Sequence, residues 1–229
     1  MSRYWKKKFN RSALEYLDSP FKQVGKTVCG IPVGPEQLDL IVAQVMEYLS
    51  LDKSSYLADL GCGNGLITRR IASQIDRVDG FDISENLIKI AQKPPSIKNS
   101  CFLCCDIINH NFSKPSRYSH VLIYEVIQHL SNIEINKLFK QIYTFSNAKT
   151  FIGSIPDAER IYDFYDTPEK KCFYEKSIAN GEPHLGKWWH KGELQDLASE
   201  HNFDIEFVNQ NPKLYTSYYR FDCTVTRAR

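Results

Sequence analysis

Four groups of residues stand at spacings that chemistry can use. The stretch LADLGCGNG sets Asp59 two residues before Gly61, with further glycines at 63 and 65. Glycine reaches positive φ and carries no Cβ, so such a run turns the chain sharply off a strand and exposes amides at the start of the next helix. About 20 residues on, Asp82 closes the run DGFDIS, where an acid hydrogen-bonds ribose hydroxyls. A third acid, Asp106, follows in CCDI. The fourth group is Glu125 and His129 in EVIQHL, four residues apart, which a helical turn would set on one face. Histidine titrates near neutrality and suits a general base, with Glu125 orienting it or touching a cofactor. The same histidine can equally cap or pack its turn.

The elements that position these groups are legible as apolar runs alternating with amphipathic segments, the pattern of a mostly parallel sheet wrapped by helices. Residues 35–50 have helical spacing, and Tyr56 to Leu60 is the first strand. A helix over 64–73, a strand over 78–81 and a helix over 84–93 opened by Ser84 follow. Strands are expected at 101–105, 118–124 and 149–154, with a helix over 132–145. Residues 191–201 return to helix, and 203–209 with 218–226 form a closing antiparallel hairpin at the sheet edge. The expected fold is α/β and doubly wound, with a mostly parallel seven-stranded sheet.

The glycine spacing discriminates between cofactors. A dinucleotide fingerprint needs its third glycine at 66, where this chain has Leu66. A nicotinamide oxidoreductase is therefore disfavoured. The stretch resembles motif I of class I S-adenosylmethionine-dependent methyltransferases, commonly DxGxGxG, and the likeness continues through Asp82, Asp106 and EVIQHL across residues 56–132. One position departs: that family often has Asp two residues into the fourth-strand segment, and this chain has Ser119. The resemblance implies S-adenosylmethionine as cofactor and S-adenosylhomocysteine as product. It assigns Asp59, Gly61, Cys62, Gly63, Asn64 and Gly65 to the methionine part, Asp82 and Ile83 to ribose and one adenine face, and Asp106 and Ile107 to the adenine amino end. Tyr124, at the end of the fourth strand, joins the cofactor set. Similar leaders in small-molecule methyltransferases fold over the cofactor, which makes Gln23 and Lys26 candidates, beside the plain reading of a surface loop. One methyltransferase domain is expected over 1–229, with a helical leader at 1–50 and a lid-like insertion at about 156–190.

Composition bounds the partners. With 29 basic and 27 acidic residues the net charge is +2, too small for the electrostatic footprint of a dedicated nucleic-acid binder, and the basic run at Lys6 to Lys8 reads as a solvated helix face. The N/D-P-P-Y/F motif of amino-directed nucleic-acid methyltransferases is absent where the chain has YEVI. No stretch approaches the roughly 20 apolar residues of a membrane span, and the start MSRYWKKKFNRS lacks a secretory apolar run, so a cytoplasmic location is expected. Seven cysteines with no export signal are read as reduced thiols. The cluster CFLCC lacks a second CxxC, alternates as a buried strand would, and no carboxylate cluster joins Glu125 and His129, so no metal is expected.

The acceptor side is expected in the later part of the chain. The segment after residue 156 is too long for an ordinary connection, which marks it as functional. Tyr165, His184, Trp188 and Trp189 are the candidate wall of an acceptor pocket, because aromatics provide a rigid stacking surface. A lid packing on its own core competes for each of these residues. The expected acceptor is a small molecule, at an oxygen of a sugar, glycan precursor or secondary metabolite.

Overall fold

Leu57, Ala58 and Leu60 are wholly buried, as are Val121, Leu122 and Ile123. Continuous apolar runs of this kind form strands covered on both faces. The computed structural model describes residues 3–94, 97–145, 148–182 and 184–228. The chain opens with α1 (Arg3–Glu15), α2 (Pro20–Gln23), a small hairpin of β1 (Thr27–Val28) and β2 (Ile31–Pro32), and α3 (Pro35–Leu49). Then come β3 (Tyr56–Leu60), α4 (Leu66–Ala72), β4 (Arg77–Asp82), α5 (Glu85–Ala91), β5 (Ser100–Cys104), β6 (His120–Tyr124), α6 (Asn132–Thr144) and β7 (Lys149–Pro156). Two helices, α7 (Ile161–Phe164) and α8 (Pro168–Ala179), precede α9 (Lys191–Glu200), β8 (Phe203–Asn209) and β9 (Arg220–Arg227).

The seven-stranded sheet has the order β5-β4-β3-β6-β7-β9-β8. Strands β3 to β7 run parallel, and β9 pairs antiparallel with both β7 and β8. The order reverses between β3 and β6, the topological switch point where open α/β sheets bind ligands. The closing pair forms as expected, with β9 threaded inside and β8 at the edge. Ser84 caps α5 by accepting from Leu87 N, and Ser131 with Glu134 makes a capping box on α6.

One expectation fails at the other edge. Of the CFLCC strand only Phe102 is buried, while Cys101, Leu103 and Cys104 are exposed. Lying last in the sheet, β5 has a helix on one face only, so its outer residues meet water. The 156–190 segment is a helical excursion closed at its neck, where Asp157 bridges Trp189 and Trp189 N donates to Pro156 O at 2.9 Å. Among the described residues no helix is long and apolar enough to cross a membrane.

Candidate functional site

The turn after β3 is pinned from two sides. Gly61 and Cys62 both donate their amides to Phe81 O, at 2.7 and 3.0 Å, tying the turn to β4. Gly61 has φ 99°, and a Cβ there would meet Val126 Cγ2 at 2.2 Å, so only glycine lets the tips of β3 and β6 approach this closely. Gly63 and Gly65 also take positive φ, and Gly65 opens α4. Asp82 Oδ2 accepts from Gly63 N at 2.9 Å and Oδ1 from Ser84 N at 2.8 Å. Burial raises the Asp82 pKa, and those backbone donors oppose the rise. Behind the turn, Asp59 accepts a bond from Thr68 Oγ1 at 2.6 Å, and burial pushes its pKa up to about 7.

A cavity of about 620 Å³ opens from this turn across the switch point. From the cofactor candidates it receives Gly61, Cys62, Gly63 and Asn64 at the turn, Asp82 and Ile83 after β4, and Lys26 and Tyr124 beside β6. Five others lie outside it. Gln23, 1% exposed, braces the turn by accepting from Asn64 Nδ2 at 2.8 Å and donating to Tyr16 O at 2.9 Å. Asp59 and Gly65 sit beneath the turn as strut and helix cap. Asp106 folds onto its own loop, taking Ile108 N at 3.1 Å and Asn109 Nδ2 at 2.9 Å, while Ile107 is buried in the core.

Glu125 forms the charged centre of the cavity. Its φ of 58° and that of Ser154, 61°, place two strained residues side by side at the carboxyl ends of β6 and β7. Glu125 accepts from Lys26 Nζ at 2.9 Å and from Ser154 Oγ at 3.1 Å. Burial would raise its pKa, but Lys26 and Arg220 outweigh burial and hold it below the usual carboxylate value. The Arg220 guanidinium donates to Ser154 O. Asp222, held by Gln44, Gln210 and Ser154 N, is pushed by burial to about 6. Sequence reasoning missed Arg220 and Ser154; the one available signal was an arginine heading an otherwise apolar strand.

His129 also lines the cavity, on a single 3₁₀ turn (Ile127–His129), so Glu125 and His129 meet there without the expected shared helical face. Its ring packs on Trp5 with centroids 3.9 Å apart and on Phe9 at 5.5 Å. Burial, with the charges of Lys8 and Arg220, pushes its pKa down to about 3. The imidazole is therefore neutral, not poised near pH 7 as a base requires. Its Nδ1 is buried with no hydrogen-bond partner among the described residues.

The far wall is aromatic. Trp5 and Phe9 of α1, Phe164 of α7 and Phe173 of α8 line it together with Tyr165 and His184. Trp188 and Trp189 do not. Trp188 lies behind the wall, 5.9 Å from Tyr165 and 6.0 Å from Tyr219 by ring centroids. Trp189 is 2% exposed in the main core, drawn into the sheet by its bridge to Asp157, with Lys187 Nζ 3.7 Å over its ring. The walls contributed by α1 escaped the sequence reading because its basic residues read as a solvated face.

A glycine turn, an acid at the next strand end and a cavity at the switch point define a Rossmann-like nucleotide site. Residues 57–148 match the family model described as a methyltransferase domain. The chain is similar to the 18S rRNA (guanine-N(7))-methyltransferase bud23 of Schizosaccharomyces pombe, 28% identical over 109 residues, 44% of this chain and 40% of that protein. It is also similar to N-methyltransferase 4 of Papaver somniferum, 24% identical over 54% of this chain and 35% of that one. The chain thus spans less than half the length of the curated relatives it matches. The solved magnesium protoporphyrin IX methyltransferase of Synechocystis PCC 6803 with bound S-adenosylhomocysteine shares the fold, with TM-score 0.61, 17% identity, and 84% and 82% of the two chains covered. Residues 57–148 thus match a methyltransferase-domain model inside a fold shared with solved methyltransferases, one of them holding S-adenosylmethionine. The turn fits that cofactor: it presents main chain without Cβ atoms, and the Asp82 carboxylate stands at the strand end where ribose hydroxyls need an acceptor.

Proposed function

We propose that the protein transfers a methyl group from S-adenosylmethionine to an oxygen of a small-molecule acceptor, such as a sugar, a glycan precursor or a secondary metabolite. The observation that carries this reading is a single cavity of about 620 Å³ running from the glycine turn to the aromatic wall, in the size range of small-ligand sites. The cofactor supplies an electrophilic methyl group on a sulfonium. Gly61, Gly63 and Asn64 would hold its amino-acid part, and Asp82 and Ile83 its ribose and adenine. The walls from α1, α7 and α8 exclude water and align the acceptor, and positioning alone is worth several orders of magnitude in rate. The acceptor oxygen attacks the methyl carbon as the carbon–sulfur bond breaks to release S-adenosylhomocysteine, the hydroxyl proton passes to the surrounding buffer, and the neutral His129 ring helps shape the acceptor side of the cavity.

Calorimetry with S-adenosylmethionine, S-adenosylhomocysteine and NAD tests the cofactor half: the first two bind and the third does not. Release of S-adenosylhomocysteine over a panel of sugars, nucleotide sugars and phenols tests the acceptor. Protein that ignores both adenosyl ligands ends this reading. Methylation of RNA is a second reading, favoured by the likeness to an rRNA methyltransferase. The net charge of +2 offers little phosphate-binding surface for it, and a salt-dependent RNA mobility shift would support it.

A further inference from the structure

Among the described residues four cations reach the cavity, two of them ion-paired and a third bound to main chain. Lys26 pairs with Glu125, Lys170 pairs with Asp166 at 2.6 Å, and the Arg220 guanidinium, buried beside Glu125, donates to Ser154 O. Lys8 differs. Its Nζ contacts the His184 carbonyl at 3.3 Å and stands 4.6 Å over the Trp5 ring, and no carboxylate among the described residues lies within 4.0 Å of it. Burial, with the charge of Arg11, lowers its pKa against the more distant charge of Glu182, and no carboxylate oxygen closes on the ammonium itself. Such a charge is costly unless a partner arrives. Lys8 follows Trp5 and precedes Phe9 on α1, and all three line the cavity.

Resting on the methyl-transfer reading, we propose that Lys8 anchors an anionic group of the acceptor, a carboxylate or a phosphate, while Trp5, Phe9, Phe164 and Phe173 hold the flat apolar body that carries it. The acceptor class is thereby narrowed to amphipathic anions. A cation over an indole face keeps its attraction to the ring while one side stays open to a ligand oxygen. An anion at this end would also offset the positive charge that a sulfonium brings to the other.

The test uses the full chain saturated with S-adenosylhomocysteine and three probes sharing one ring body: naphthoate, naphthyl phosphate and naphthalene methanol. Calorimetry should show at least one anion binding at least about tenfold more tightly than the neutral alcohol. Which anion wins separates a carboxylate from a phosphate site. Lys8→Met should remove that advantage and Lys8→Arg should retain it, with S-adenosylhomocysteine affinity the same in all three proteins. Equal binding of anion and alcohol, an advantage surviving in Lys8→Met, or no binding of either anion overturns the proposal. Failure of S-adenosylhomocysteine to bind at all instead removes the methyl-transfer reading beneath it.

Discussion

At the glycine end of the cavity the ligand-facing surface is largely main chain, held by amide bonds to Phe81 O and to the Asp82 carboxylate. At the opposite end it is side chain, drawn from α1, α7, α8 and the approach to β9. The first kind of surface depends on dihedral angles, so it tolerates few substitutions and preserves one ligand. The second depends on which rings and charges project inward, so it can be rewritten without disturbing the sheet. Similar proteins whose names specify an rRNA guanine and a porphyrin are what such a division would produce.

The comparison breaks most readily at Gly61. Gly61→Ala forces a φ of 99° on alanine and drives its methyl into Val126. The expected cost is about 2–4 kcal/mol of stability, with at least about a hundredfold loss of S-adenosylmethionine affinity by calorimetry. Retained binding would show that the turn is not the seat of the cofactor. The two carboxylates nearest the turn and the charged centre sharpen the comparison through pH. Asp59 has its pKa raised from 3.8 to about 7, so the native state holds that proton more tightly than the unfolded chain. Its contribution is present below about pH 3.8 and is lost as pH rises to about 7, a swing on the order of 4 kcal/mol. Glu125 has the opposite sign: its pKa is lowered, so its contribution is present above 4.5 and lost as pH falls below it. Urea unfolding across pH 4–7 should show a slope in the parent that Asp59→Asn flattens. An unchanged slope would mean that Asp59 is not the buried proton acceptor.

The same division explains what the sequence could disclose. Strands β3 and β8 were readable to the residue because their apolar runs and flanking turns are local signals, and the glycine turn because positive φ leaves a mark in residue type. The insertion of β9 between β7 and β8 left none, since pairing order is a long-range property. Trp188 and Trp189 resemble a ligand wall on composition alone; a parallel bridge from Asp157, one residue past β7, draws Trp189 into the core, and Trp188 packs on Tyr165 and Tyr219. Lys8, Trp5 and Phe9 stand at helical spacing on a basic segment, and only the docking of α1 over the cavity turns that face inward. Glu125 and Ser154 carry strain that no residue type announces, because neither is glycine.

The smallest expected effect lies at Phe164. Its ring packs 4.6 Å from Tyr219 and 4.9 Å from Tyr165 by centroids, and it lines the aromatic end without touching the turn. Phe164→Ala should lower stability by only about 1 kcal/mol, since the ring is partly exposed already. S-adenosylhomocysteine affinity should stay within about twofold, while naphthoate binding weakens by about threefold to tenfold. Paired titrations on one preparation measure both. A loss of cofactor affinity matching the loss of naphthoate would mean that the two ends communicate through α7 and form one surface, and the division between main-chain seat and side-chain wall would have to be abandoned.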